Sequence, residues 1–222
     1  MLNHKQFKLI LENIQSRKEI LRLLYIYNIK DYIINDDGSV DINDNINLIG
    51  KKLIKLPFKF NIVKGHFNCS VNKLINLKDA PRIVEVNFEC SENKLISLEG
   101  APQKIGRDFN CSYNQLTSLI NAPQEVGRGF YCSYNRLVSL EGAPQIIEGD
   151  FSCYHNELIS LEGAPEFLKG TFTLLKNEWK RLNPFKKQEQ EVTLDDMTDE
   201  YGADIMINVK EFLYKDNRLI KR

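Results

Sequence analysis

The chain has no excess of charge of either sign: 30 lysines and arginines stand against 30 aspartates and glutamates in 222 residues. A neutral balance removes the global basic footprint on which binding to nucleic acid or an anionic membrane relies. No apolar run approaches the roughly 18 residues of a membrane-crossing helix. The N-terminal segment interrupts its apolar positions with charge and offers no small-residue cleavage site. The expectation is a soluble, unexported, cytoplasmic protein. Also missing are the phosphate loop G-x-x-x-x-G-K-[ST], the metalloprotease pair H-E-x-x-H and the redox or zinc pair C-x-x-C. The three histidines, His4, His66 and His155, are scattered, with no two at ligand spacing. No metal, no cofactor and no catalytic residue is expected.

What the chain does contain is one phrase written five times. FNCSVNKLINL, FECSENKLISL, FNCSYNQLTSL, FYCSYNRLVSL and FSCYHNELISL begin at Phe67, Phe88, Phe109, Phe130 and Phe151, 21 residues apart, and a worn copy begins at Phe172. A fixed period of 20 to 29 residues with a leucine and asparagine pattern marks coils that stack their cores. All five cysteines, Cys69, Cys90, Cys111, Cys132 and Cys153, sit two residues after the phenylalanine. Neighbouring rungs of such a ladder lie about 4.8 Å apart, wider than the roughly 3.8 Å between disulfide-linked Cβ atoms. The cysteines therefore read as small apolar fillers and not as redox or zinc groups.

Within one coil, Phe109 and Cys111 alternate at period two, as in a short core-facing strand, and Ile105, Leu116 and Leu119 complete the apolar set. Asn114 and its equivalents Asn72, Asn93, Asn135, Asn156 and Asn177 form a second ladder, whose amides suit the satisfaction of turn backbone. Two residues before each repeat proline stands Asp79, Gly100, Asn121, Gly142 or Gly163. These types tolerate a left-handed backbone, so positive φ is expected there. The prolines Pro81, Pro102, Pro123, Pro144 and Pro165 forbid helix and favour an extended return. The side opposite the strands should be loop and polyproline-like.

Both ends of an array need covering. Phe7, Ile10, Leu11 and Ile14 have helical spacing, and Ile20, Leu21, Leu23 and Leu24 follow a capping-box pattern at Ser16 and Glu19, so residues 1–30 are expected to form a helical cap. Tyr32–Ile34 and Val40–Ile42 around Asn35-Asp-Asp-Gly38 predict a hairpin leading into a degenerate first coil with Ile46, Leu53, Leu56 and Val63. The solenoid is placed at 31–184, with Leu174 and Trp179 broadening its last coil. Residues 185–222 are read as a cap or partner-binding segment, its helix built on Ile205, Val209, Phe212 and Leu213.

Residues between the core positions should form a continuous outer face. A serine column runs through it. Beside that column Tyr113, Tyr131, Tyr134, Tyr154 and His155 gather on adjacent coils, with Glu89 and Glu92 on the same face. Tyrosine gives large contact area at small entropic cost and is enriched in interface hot spots. These seven residues are the candidate binding site. Arg107, Arg128, Lys104, Arg136 and Lys94 keep a nucleic-acid alternative open, opposed by Glu89, Glu92, Asp108 and Asp150 on the same face.

The order of phenylalanine, cysteine, asparagine and leucine resembles the leucine-rich repeat family. The fuller phrase F-x-C-S-x-N-x-L-x-S-L-E-G-A-P, with the lead-ins DDGSVDI and KLIKLPFKF, is similar to short-repeat proteins of bacteriophages and bacteria over residues 25–184. That resemblance implies short parallel strands on a concave face and a non-catalytic role in binding another protein. If phage-encoded, the chain would bind and inhibit or redirect a bacterial host or defence protein. A self-assembling, virion-associated role and homo-oligomerisation are the alternatives.

Overall fold

The computed structural model describes residues 16–159 and 161–174 together with the strands Met206–Asn208, Phe212–Lys215 and Arg218–Lys221. Its body is a parallel β-solenoid of about 6 turns. The regular coils each give two short strands. One holds the phenylalanine, as in Phe88–Glu89, Phe109–Asn110 and Phe130–Tyr131, and pairs in parallel with the strand one repeat away. This phenylalanine sheet begins at Ile46–Asn47 and runs to Thr171–Thr173.

The extended return after each proline does more than close the coil. Its pairs Ile83–Val84, Lys104–Ile105, Glu125–Val126, Ile146–Ile147 and Phe167–Leu168 build a second parallel sheet in the same register. A loop or polyproline-like side was expected from the prolines alone. The proline holds its own residue extended, and the buried Val84, Ile105, Val126 and Ile147 then set the following residues at strand alternation.

Between the sheets lie stacked ladders of identical side chains. The phenylalanine rings follow one another at 5.2, 5.7, 5.1 and 5.5 Å from Phe67 to Phe151. Each buried ring contributes roughly 1.5–3 kcal/mol of apolar transfer. The five thiols are free and fully buried, and burial pushes their pKa values up, so they pack as protonated, apolar groups. The thiols of Cys90 and Cys132 donate to the carbonyls of Asn110 and Ser152 on the next coil at 3.3 and 3.4 Å.

The asparagine ladder is wired between coils. Asn93 Nδ2 donates to the carbonyls of Cys90 and Ser91 in its own turn and of Cys69 in the preceding one, while its Oδ1 accepts from Leu74 N–H at 3.0 Å. Asn72, Asn114, Asn135 and Asn156 repeat that pattern. The expected left-handed turns are present at all five sites, with φ between 68° and 90° at Asp79, Gly100, Asn121, Gly142 and Gly163.

At the N-terminal end a helix covers residues 16–26 and buries Ile20 and Leu24, leaving Leu21 exposed. Ser16, the first described residue, lies in that helix. The helix expected from Phe7 to Ile14 falls outside the described residues. The hairpin forms as read, Tyr32 opposite Ile42 and Ile34 opposite Val40, with Gly38 at φ 78°. Lys59 pairs with Asp37 at 2.7 Å and, with Ser39, holds that carboxyl well below the usual range. Ile46, Leu56 and Val63 are buried in the first coil and Leu53 is half-buried.

The far end departs from expectation. Met206–Asn208 is a strand, paired antiparallel with Thr171–Thr173, and Phe212–Lys215 with Arg218–Lys221 forms a hairpin. Residues 206–208 and 212–213 are strand where the spacing suggested a helix, and Ile205 and Val209 lie outside the described residues. Short apolar runs satisfy helical and strand periods alike, and the unpaired edge of the last coil offers hydrogen bonds that a helix would leave unused. Trp179 and the linker after Pro184 lie outside the described residues.

Candidate functional site

Immediately before each ladder asparagine the chain enters a second left-handed column. Val71, Glu92, Tyr113, Tyr134 and His155 have φ between 53° and 59°, and Gly50 opens the series at 65°. A side chain in this conformation costs about 1–2 kcal/mol, yet five large residues adopt it in succession. The cause is the neighbouring asparagine, whose bonds to carbonyls two and three residues back fix the turn.

This column brings three of the candidate residues into one stack. The Tyr113 and Tyr134 rings lie 4.2 Å apart and 12° from parallel, and Tyr134 and His155 lie 4.3 Å apart at 14°. Tyr154 sets its ring edge-on to both, 5.2 Å from Tyr134 and 5.5 Å from His155. Tyr113 is exposed, while Tyr134, Tyr154 and His155 are half-buried by one another and the coil. The Tyr113 hydroxyl is raised above its ordinary pKa by its hydrogen bond to Tyr134, then by burial and by the charges of neighbouring groups including Glu92. It stays a protonated donor at neutral pH.

Tyr131 and Glu89 stand apart from the stack, on the outer side of the phenylalanine sheet with Asn110 between them. The Tyr131 ring lies over Gly129, where a Cβ would come within 2.5 Å of its hydroxyl. Burial, then Asp108 and Asp150, raises the Tyr131 pKa. Burial also raises that of Glu89, against the hydrogen bond from Asn110 and with Asp108 reinforcing the rise. Asp108 and Asp150 are partly structural, accepting the backbone N–H groups of Gly129 and Thr171 at 3.0 and 2.9 Å. Glu92 occupies the left-handed column one coil before Tyr113.

One feature differs from the reading of the sequence. The serine column is not a surface: Ser70, Ser112 and Ser133 are buried and Ser91 half-buried, with hydroxyls bonded between coils at 3.1 Å for Ser70–Ser91. Tyr154 breaks that column and is driven outward by its size. The cations of the nucleic-acid alternative are interleaved with carboxylates, Lys104 with Glu125 at 2.7 Å and Arg128 with Asp108 at 3.9 Å. The left-handed column itself was missed, because tyrosine, valine and glutamate are not residues that announce positive φ.

The groups assembled here are stacked rings, neutral hydroxyls and carboxylates, suited to shape-specific contact and hydrogen bonding. Among the described residues no group of three or more histidines, cysteines or carboxylates is placed to hold a metal ion, and no helix is long and apolar enough to cross a membrane. No protein-family model, curated protein or solved structure matches the chain.

Proposed function

We propose that this protein is a non-catalytic binding solenoid of leucine-rich-repeat type, which docks another protein on the Tyr113–Tyr134–His155 stack with Tyr154 at its edge. The observation that carries this reading is the stack on a left-handed column. Asparagine or glycine would hold this backbone at lower cost than tyrosine does, so the rings are kept here against a backbone preference. Glu92 sits at the head of the stack, and Glu89 and Tyr131 form the acidic flank on the adjoining sheet. The resemblance to short-repeat proteins of phages and bacteria makes a bacterial protein the favoured partner, met in the bacterial cytoplasm and inhibited or redirected by the contact.

The test is capture from a bacterial lysate with the wild-type chain and with Tyr113→Ala/Tyr134→Ala, the two matched for circular dichroism and melting. Support is a protein held by the wild type and lost from the variant. Identical captured sets from both would remove the stack from the interface.

A further inference from the structure

A second column of exposed side chains runs the length of the solenoid, and it is aliphatic. Ile54, Ile75, Ile96, Val138 and Ile159 hold one register position, each between two core leucine positions, and are 43 % to 71 % exposed. The sixth member, Thr117, shows that the coil accepts a polar residue there. The other five are therefore not a demand of folding, and an exposed apolar strip broken at one rung in six marks a contact surface.

The charge beside the strip changes sign along its length. Around each coil one residue precedes the aliphatic position by two and another follows by three, all of them exposed except the half-buried, uncharged Pro57 and Gln115. In the first three coils these are Lys52, Lys73, Lys78 and Lys94 with Glu99. In the last three they are Arg136 with Glu141, Glu157 and Glu162, beside the uncharged Gln115 and Ile120. One end is basic and the other acidic.

We infer that this strip is covered by the same strip of a second copy, turned end for end about a two-fold axis. Reversal seats Ile54 on Ile159, Ile75 on Val138 and Ile96 on Thr117, and the basic half meets the acidic half. Lys52 then faces Glu157 and Lys78 faces Glu141, against a single like-charged meeting of Lys73 with Arg136. A parallel pairing instead balances Lys94 on Glu99 and Arg136 on Glu141 with two like-charged meetings, Lys73 on Lys78 and Glu157 on Glu162. A second copy also matches the period: its rungs repeat at the same spacing of about 4.8 Å, whereas a helix of about 5.4 Å pitch drifts by roughly half an ångström per rung. Six rungs by five residues of perimeter make a strip of roughly 29 by 16 Å. At roughly 460 Å² per copy, roughly 930 Å² in all, this falls below the size of stable specific interfaces, so the dimer is weak and reversible.

Sedimentation equilibrium on the full chain decides the matter. The wild type is expected to show a monomer–dimer equilibrium. Ile75→Thr/Ile96→Thr/Val138→Thr is expected to be monomeric with an unchanged circular dichroism spectrum, threonine being native to this register. Lys78→Glu should weaken the dimer several-fold at low salt, and adding Glu141→Lys should restore it; in a parallel pairing Lys78→Glu would tighten it. A wild type that stays monomeric at its highest soluble concentration overturns the inference. So does a threonine variant that still dimerises, or a Lys78→Glu chain that associates as well as or better than the wild type. Tyr113→Ala/Tyr134→Ala should remain dimeric. If it dissociates, the copies meet at the aromatic stack and the aliphatic strip is not the interface.

Discussion

Two left-handed columns run up the same solenoid, and they are filled by opposite kinds of residue. The column before the prolines holds Asp79, Gly100, Asn121, Gly142 and Gly163, types that adopt positive φ at small cost. The column before the asparagines holds Val71, Glu92, Tyr113 and Tyr134, types that do not, and closes on His155, which tolerates it better. In the first the residue creates the turn. In the second the turn is imposed by the next residue's amide, which leaves the side chain free to serve something other than the fold. Strain tolerated at a repeated position is the ground on which the binding contact is proposed, since strained backbone elsewhere clusters at functional sites.

The sharpest way to break this contrast is to remove the amide that imposes the second turn. Asn93→Ala deletes three donated bonds and one accepted bond, and should cost about 3 kcal/mol or more in urea unfolding, since buried polar groups are left without partners. Next comes the first column. Gly142→Ala puts a Cβ at φ 90° and 2.5 Å from the Ile120 nitrogen, a loss of about 2 kcal/mol or more read in the same way.

The opposite sign is expected in the second column. Val71→Asn relieves a β-branched residue at φ 59° and should raise stability by about 1 kcal/mol. The same change at Tyr134 also loses two stacked rings, each worth about 0.5–1.5 kcal/mol, so it should give no net gain. If Val71→Asn destabilises, the left-handed column is not under strain and the contrast fails.

The smallest effect belongs to Glu89. Its folded pKa is raised, so the folded state binds the proton more tightly than the unfolded chain and disfavours the carboxylate once pH passes the ordinary glutamate range. Glu89→Gln should therefore be more stable than wild type at neutral pH. That advantage should fade as pH falls through the raised pKa and vanish below the unfolded value. A pH series of melting curves for both chains checks it.

Most of the scaffold was legible because repetition turns one weak local signal into five. Phe109, Cys111, Asn114 and Leu116 each say little alone, but their recurrence assigned core, ladder and turn, and the glycine and Asx residues located the first left-handed column. The second sheet was less legible, since its two-residue strands carry one buried residue each and follow a proline that argues against pairing. The C-terminal strands were misread because a short apolar run fits either period. At the candidate site the grouping of Tyr113, Tyr134, Tyr154 and His155 followed from register. Their stacking did not, because it depends on a backbone that those residues do not encode themselves. The aliphatic strip was present in the text as the isoleucine or valine between two leucines, hidden by the stronger signal of its buried neighbours.

The asparagine wiring also sets an order in time. Leu74 N–H finds its acceptor only on Asn93, 19 residues later, so as the chain emerges from synthesis each coil is completed by the one that follows it. Ladder contacts that span 21 of 222 residues are about 0.09 of the chain, within the 0.07–0.12 range of helical bundles. A molecule made of sheet is then wired locally, as a helical one is, and is built coil upon coil, with the stack of Tyr113, Tyr134 and His155 finished only when the fifth phrase has been laid down.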